Sequence, residues 1–186
     1  MTKLILLDRD GVLNYDRDDY VRHPDELVIF PQSLRALQLL HDNGIKVGIC
    51  TNQAGIEKGI YSENDLSAIH QKLQEEVKKN GGGELKIIYC PYSDDNHPLR
   101  KPNPGMLIKQ MENFGLNSLD KVPYIGDVYK DIQAALRAGA VPILVGTGKG
   151  QKCREKYTEE LKDIAFFPDL LNAVQYLLDS GFYQDN

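Results

Sequence analysis

Positive charge is in short supply in this chain: 22 lysines and arginines face 27 aspartates and glutamates, a net charge of -5 at pH 7 over 186 residues. Without a basic excess nothing global draws it to a phosphate backbone, and nucleic acid is disfavoured as a partner. Cysteine is scarce too. Cys50, Cys90 and Cys153 are odd in number and far apart, which argues against a disulfide framework and for a reducing compartment. No apolar run approaches membrane-spanning length, and the one after Met1-Thr2-Lys3 is too brief for a signal-peptide core. A cytoplasmic location with no membrane partner is the expectation. His23, His41, His70 and His97 lack metal-ligand spacing and read as surface or packing residues. Internal repeats and low-complexity segments are absent. With 41% hydrophobic residues the chain can bury a substantial core, and a single, monomeric domain over residues 1–186 is expected.

What is present is organised around Leu6-Leu7-Asp8-Arg9-Asp10-Gly11, where an apolar run stops at two carboxylates one residue apart. In extended chain Asp8 and Asp10 project the same way, and Gly11 lets the backbone turn. Two like charges sharing a site favour a hard divalent cation with oxygen ligands, or a proton retained by one of them.

Apolar runs at residues 3–7, 45–50, 86–89, 122–125, 141–145 and 164–167 read as strands. Helices are expected between them. The first follows Pro31 with Leu34, Leu37 and Leu40 inward; the second starts at a Ser62/Asp65 capping box and buries Leu66, Ile69, Leu73 and Val77. The others carry Leu107, Met111 and Phe114 after Pro104, then Ile132, Ala135 and Leu136, a short charged segment, and finally Leu171, Val174 and Leu178. Residues 15–30 read as an excursion rather than a packed element. Such alternation predicts an α/β fold: a three-layer Rossmann-like parallel sheet with helices on both faces. The links after Asn14 and Gln53 are too short for an inserted cap domain, so loops at residues 15–30, 54–61 and 90–100 would enclose a substrate. Gly146-Thr147-Gly148-Lys149-Gly150 is glycine-rich but lacks the Ser/Thr after lysine that a P-loop needs.

Ligands of a parallel sheet gather at the strand C-termini, where Asp8, Thr51 and Asp127 would all lie. An ionised aspartate attacks phosphorus once the phosphoryl charge is neutralised, and Mg2+ suits that task. Asp8 and Asp127 would ligate the ion, with water and the Asp10 backbone carbonyl completing its octahedron. Asp10, off the metal through its side chain, could keep a proton for the leaving alkoxide and later activate water. Thr51 and Lys101 would hold the remaining phosphoryl oxygens, and Asn14 would help hold the substrate. Asp131 would either meet the metal through water or orient Lys101.

Asp8-Arg9-Asp10-Gly11, Thr51-Asn52, Lys101, and Gly126-Asp127 with Asp131 resemble the four motifs of the haloacid dehalogenase-like phosphatases. More narrowly, residues 7–14, Thr51-Asn52-Gln53-Ala54-Gly55-Ile56 and Arg100-Lys101-Pro102-Asn103-Pro104-Gly105-Met106 resemble the branch holding D-glycero-D-manno-heptose 1,7-bisphosphate phosphatase and histidinol-phosphate phosphatase. The resemblance implies Asp8 as nucleophile, Asp10 as acid/base, Asp127 as metal ligand, Thr51 and Lys101 as phosphate ligands, and Asn52 and Arg100 as substrate contacts. It implies removal of the C7 phosphate from a small sugar bisphosphate, in the supply of heptose for lipopolysaccharide. Val12-Leu13-Asn14 resembles the heptose enzymes more than the histidinol enzymes, whose activity is the alternative. A structural zinc bound by Cys-x-His and Cys-x-Cys pairs is common in this branch. Here Tyr92 follows Cys90 where the histidine would stand, and the next cysteine is Cys153. Cys90, His97 and Asp94 or Asp95 make a poor zinc set, so structural zinc is expected to be absent. Two further readings are a nucleic-acid 3'-phosphatase, disfavoured by the acidic charge, and a non-catalytic phosphoacceptor module. In receiver-type modules the acid pair and the phosphorylated aspartate lie on different strands, and no suitable aspartate follows the second or third strand here.

Overall fold

The computed structural model describes residues 2–184. Met1 and residues 185 and 186 lie outside the described residues. Six strands, β1 (Leu4–Leu7), β2 (Lys46–Asn52), β3 (Leu85–Cys90), β4 (Pro123–Gly126), β5 (Val141–Val145) and β6 (Ala165–Phe167), form one sheet in the order β3-β2-β1-β4-β5-β6. Every pair is parallel. The helices are α1 (Pro31–Asp42), α2 (Glu63–Lys79), α3 (Gly105–Asn113), α4 (Tyr129–Ala138), α5 (Gly150–Lys156) and α6 (Leu170–Asp179). The strand order switches on either side of β1, and a crevice opens at such a point beyond the strand C-termini.

Period-two alternation in β1 sorts the core into two layers. Ile5 and Leu7 pack with Leu37 and Leu40 of α1, Ile69 and Leu73 of α2, and Val174 and Leu177 of α6. Leu4 and Leu6 face the other way, toward Met106 and Leu107 of α3 and Ala134 and Ala135 of α4. All four residues of β1 are buried, which explains why the strand reads as continuously apolar. The α2 capping box forms as expected, with the Ser62 side chain accepting from Asp65 N–H and the Asp65 side chain accepting from Ser62 N–H.

Several details differ from the sequence reading. Leu34, Met111 and Phe114 are only partly buried, and α3 turns Met106, Leu107 and Gln110 inward. In α6 the buried face is Leu170, Ala173, Val174 and Leu177, with Leu171 and Leu178 only partly buried; leucines on both edges of a wide stripe blur its centre. In α4, Leu136 is 57% exposed, because the helix turns small Ala134 and Ala135 to the core instead. Residues 15–30 are packed after all: Tyr15 N–H donates to Val28 O, Phe30 N–H to Leu13 O, and Val21, Leu27 and Phe30 are buried. Among the described residues only a 3-10 turn, Pro24–Glu26, stands between β1 and α1, so the expected loop cap holds there.

Gly48 on β2 shows how closely the layers meet. A Cβ there would fall 2.6 Å from Leu6 Cδ2 and 3.0 Å from Gln110 Cδ, where the Gln110 amide donates to Ile49 O and Lys86 O. Gly48→Ala is expected to overpack this seam and destabilise the fold by about 1–3 kcal/mol, read as a lower denaturation midpoint with an unchanged urea m-value.

Candidate active site

β1 lies between β2 and β4, and Asp8 N–H extends the ladder to Ile125 O at 2.9 Å. The Asp8 side chain is thereby delivered beside the ends of both neighbours. Its Oδ1 accepts from Arg9 N–H at 2.7 Å and faces Lys101 Nζ at 2.9 Å. Both contacts fall on Oδ1, so Oδ2 is the oxygen left for a substrate or an ion. Lys101 is 2% exposed, and its Nζ also lies 2.6 Å from Asp131 Oδ1 and 3.0 Å from the Tyr124 hydroxyl. Burial disfavours the Lys101 charge, but Asp131 and Asp8 outweigh it and hold the ammonium above its usual range. Asp131 caps the start of α4, its Oδ2 accepting from the N–H groups of Asp127 and Val128 at 3.2 Å. Of its two expected roles, orienting Lys101 is the one its contacts serve.

Asp127 follows β4 directly, and a backbone closes over it. Gly11 has φ +81°, and a Cβ on it would fall 2.1 Å from Asp127 Oδ2; only glycine fits. Lys149 N–H donates to the same oxygen at 2.8 Å, and the Thr147 hydroxyl donates to Gly11 O at 2.7 Å. The glycine-rich segment rejected as a P-loop thus belongs to the site, packed on Asp127. Desolvation is the largest influence on Asp8 and Asp127. It pushes Asp8 up to about 7 despite Lys101, and Asp127 well above the usual carboxylate range, with Asp131 and Asp8 adding to the rise.

Asp10 behaves oppositely. Burial works against its ionisation, yet Arg9, Asn14 and Gln53 outweigh burial and hold it below its ordinary value. Arg9 Nε and Nη2 reach Asp10 Oδ1 at 3.2 and 2.9 Å, and Nη2 reaches Oδ2 at 2.9 Å. Asn14 Nδ2 donates to Oδ1 and Gln53 Nε2 to Oδ2, both at 2.9 Å. Three donors surround the carboxylate and favour its ionised form in the ligand-free site, so a proton for the leaving alkoxide has to be acquired there.

The cleft beside these groups has a volume of about 290 Å3 and is lined by Asp8, Asp10, Thr51, Asn52, Lys101 and Asp127, with Asp16, Arg17, Asp18 and Tyr20 opposite. Larger hollows near Tyr183 and His41 lie at the other end of the strands, away from this chemistry. Of the three expected cap loops only residues 15–30 supply lining; Arg9, Gln53, Val128, Lys130 and Lys149 complete the wall, and Ala54 to Tyr61 and Cys90 to Arg100 do not reach it. Asn14 is absent from this lining: it is fully buried, and its amide nitrogen donates to Asp10 and to Tyr15 O. Arg100 is absent from this lining too: Nε donates to Asp95 Oδ1 and Nη1 to Tyr92 O. Asn52 lines the cleft, but both ends of its amide pair with the Lys101 backbone, each at 3.1 Å. Thr51 is 1% exposed and its Oγ1 accepts from Gln53 Nε2 at 2.8 Å, which leaves the hydroxyl proton available.

Sequence reasoning missed Gln53, whose Oε1 accepts from the Tyr61 hydroxyl at 2.5 Å. The Asp10 carboxylate only accepts, so it fixes the amide with NH2 toward Asp10 and Thr51 and leaves Oε1 to accept from Tyr61. Tyr124 was missed as well, being one more apolar-looking strand residue. In the Cys90 loop the Cys90 Sγ lies 3.9 Å from His97 Nδ1. Tyr92 packs on the His97 ring with centroids 4.2 Å apart, and Asn103 Nδ2 donates to Asp95 O and His97 O. Among the described residues the group of three ligand-type side chains within 4.8 Å of one another is Asp8, Asp127 and Asp131. Three buried carboxylates share one ammonium there, an excess of negative charge with hard oxygen donors, which fits Mg2+.

A family profile described as HAD-hydrolase-like matches residues 98–173. D-glycero-beta-D-manno-heptose-1,7-bisphosphate 7-phosphatase of Pseudomonas putida is 41% identical over 177 residues, covering 95% of this chain and 99% of the relative. The enzyme of the same name from Neisseria meningitidis is 38% identical over 181 residues, 96% of each chain. The crystal structure of D,D-heptose 1,7-bisphosphate phosphatase from B. bronchiseptica, complexed with magnesium and phosphate, superposes with a TM-score of 0.90 at 37% identity, over 96% of this chain and 99% of that one. No helix among the described residues is long and apolar enough to cross a membrane. The six-stranded parallel fold, the aspartates at its strand ends and these relatives agree: the chain belongs to the D-glycero-D-manno-heptose 1,7-bisphosphate 7-phosphatases, hydrolases of the haloacid dehalogenase-like superfamily.

Proposed function

We propose that this chain is a magnesium-dependent phosphomonoesterase that removes the C7 phosphate of D-glycero-D-manno-heptose 1,7-bisphosphate through an aspartyl-phosphate, acting as a monomeric, single phosphatase domain in the cytoplasm. The observation that carries this reading is the meeting of Asp8, Lys101 and Asp127 at one end of a small polar cleft. A volume of about 290 Å3 suits a sugar phosphate. Three free, buried cysteines accord with a reducing compartment.

Asp8, Asp127 and the Asp10 backbone carbonyl are the ligands we assign to Mg2+, which when bound neutralises phosphoryl charge and draws the reacting oxygens together. Asp8 Oδ2 attacks phosphorus and the bond to the sugar oxygen breaks, with Asp10 giving that oxygen a proton. In the resting site Asp10 is ionised, so it takes up its proton as the anionic substrate enters, because an added neighbouring anion raises a carboxylate's pKa. Asp10, ionised again, then removes a proton from water, whose oxygen attacks phosphorus, releasing Asp8 and inorganic phosphate. Throughout, Lys101 and the Thr51 hydroxyl face the phosphoryl oxygens as fixed donors.

Asp8→Asn is expected to abolish phosphate release while the circular dichroism spectrum stays native; turnover at an undiminished rate removes Asp8 as nucleophile. Specificity constants should rank heptose 1,7-bisphosphate above histidinol phosphate and a 3'-phosphorylated oligonucleotide, and any other leader overturns the substrate assignment. A third expectation concerns pH. The raised Asp8, at about 7 against an ordinary 3.8, makes the ion-free fold hold a proton that the unfolded chain has lost. Its stabilising contribution is complete below about pH 4 and is lost as pH rises toward 7. Mg2+ binds the ionised form and acts in the opposite sense. The rise in Tm on adding Mg2+ should therefore be larger at about pH 8 than at about pH 5.5, and equal shifts would place the ion elsewhere.

A further inference from the structure

Arg9 stands between the two carboxylates in sequence, yet its side chain is only 1% exposed. Nε and Nη2 are spent on Asp10, and Nη1 lies 3.1 Å from His70 Nε2. A guanidinium has donors and no acceptor. The contact therefore requires a bare lone pair on His70 Nε2, and with it a neutral ring protonated on Nδ1. His70 comes from α2, far from the strand end in sequence, and it does not line the cleft. Its backbone is anchored independently of any ligand, by the Ser62/Asp65 capping box and by Leu66, Ile69 and Leu73 in the core. Behind the ring is Tyr89 of β3, with centroids 6.1 Å apart.

The other donors to Asp10 have anchors of their own: Gln53 also accepts from the Tyr61 hydroxyl, and Asn14 also donates to Tyr15 O. Arg9 is the donor that grips both oxygens of Asp10, and its long side chain has four rotatable bonds up to the guanidinium. Holding Nη1 stops that fork from turning. A histidine kept for packing alone would need no lone pair aimed at Nη1.

We propose that His70 is a positioning residue for the phosphatase reaction, its Nε2 fixing Arg9 and, through Arg9, the aim of the Asp10 carboxylate. The inference rests on Asp10 as the acid/base of the preceding section. It adds a distant imidazole on α2 to the machinery, with the chemistry of a hydrogen-bond acceptor and not that of a metal ligand or a base. Proton transfer depends on a heavy-atom approach within hydrogen-bond reach, so a loosened carboxylate loses rate while substrate binding elsewhere in the cleft is kept.

The test uses the full chain with Mg2+ and heptose 1,7-bisphosphate. His70→Phe fills the space without an acceptor, whereas His70→Gln places an amide oxygen near the position of Nε2. His70→Phe is expected to lower kcat by about 10- to 100-fold with KM changed less than about twofold, and His70→Gln to recover most of the rate. Wild-type kcat in His70→Phe, equal losses in both variants, or a loss confined to KM would each overturn the proposal. Should both variants fold poorly, 15N NMR of the unaltered protein at pH 7 decides: a proton on Nδ1 and a bare Nε2 support it, and the opposite tautomer overturns it. Asp10→Asn measured in parallel separates the two levels. If that variant is inactive while His70→Phe turns over normally, His70 alone is misassigned; if Asp10→Asn keeps full activity, the acid/base assignment falls with it.

Discussion

Three carboxylates and one ammonium in a nearly dry space set the terms for this site. Lys101 bridges Asp8 and Asp131 at 2.9 and 2.6 Å, and all three side chains are buried. Burying charge is tolerable only when it is paired, and here the pairing is incomplete, because Asp127 joins the same cluster without a cation of its own. Part of Asp127's charge is met by Lys149 N–H, and the rest is an unmet demand. The raised pKa directions of Asp8 and Asp127 express that demand. A site so built binds a proton or a hard cation, and the fold preserves the imbalance because the three carboxylates follow β1, follow β4 and sit in α4, so none can withdraw from the others.

The sheet is what keeps those elements in register. β1 pairs with β2 on one side and β4 on the other, so the residues that follow β1 and β4 emerge side by side, with Thr51 at the neighbouring end of β2. Lys101 comes from a loop and not from a strand. Its backbone is clamped through both ends of the Asn52 amide, which ties the loop to β2 and gives a flexible side chain a fixed root. Asp131 then takes the tip of that side chain, using the same carboxylate that caps α4. One helix start therefore fixes both Asp127 and the ammonium opposite it.

Much of this was legible in the chain. Strand-ending Asp8, Thr51 and Asp127 could be found from apolar runs that stop at polar residues, because a parallel sheet makes strand ends converge. The fold followed from alternating periods. What the sequence hid was whatever depends on contacts between distant segments. Asn14 and Arg100 are polar and adjoin motifs, but that the Asn14 amide nitrogen reaches Asp10 and the Arg100 guanidinium reaches Asp95 shows only in the fold. Gln53, Tyr61 and Tyr124 carry no local signature, as an amide or a phenol gains meaning only from its partner across the fold. Residues 146–150 were judged by a motif they fail, while their true part, lying against Asp127 beside Gly11, depends on spatial approach alone.

Asp8 and Asp10 leave one strand end together yet are pushed in opposite directions, Asp8 up and Asp10 down. The cause is the supply of donors. Asp8 is desolvated beside Asp131 and meets one ammonium that it must share; Asp10 is ringed by a guanidinium and two amides. On the proposed mechanism this splitting has a direction in the reaction cycle. An ionised Asp10 is ready to activate water, the second half, and must acquire a proton for the first. The anionic substrate supplies the field that raises its pKa, so the acid form arises when there is a leaving group to receive the proton. Two aspartates one residue apart can then serve different steps without differing in kind, because Arg9 between them is turned entirely to one side.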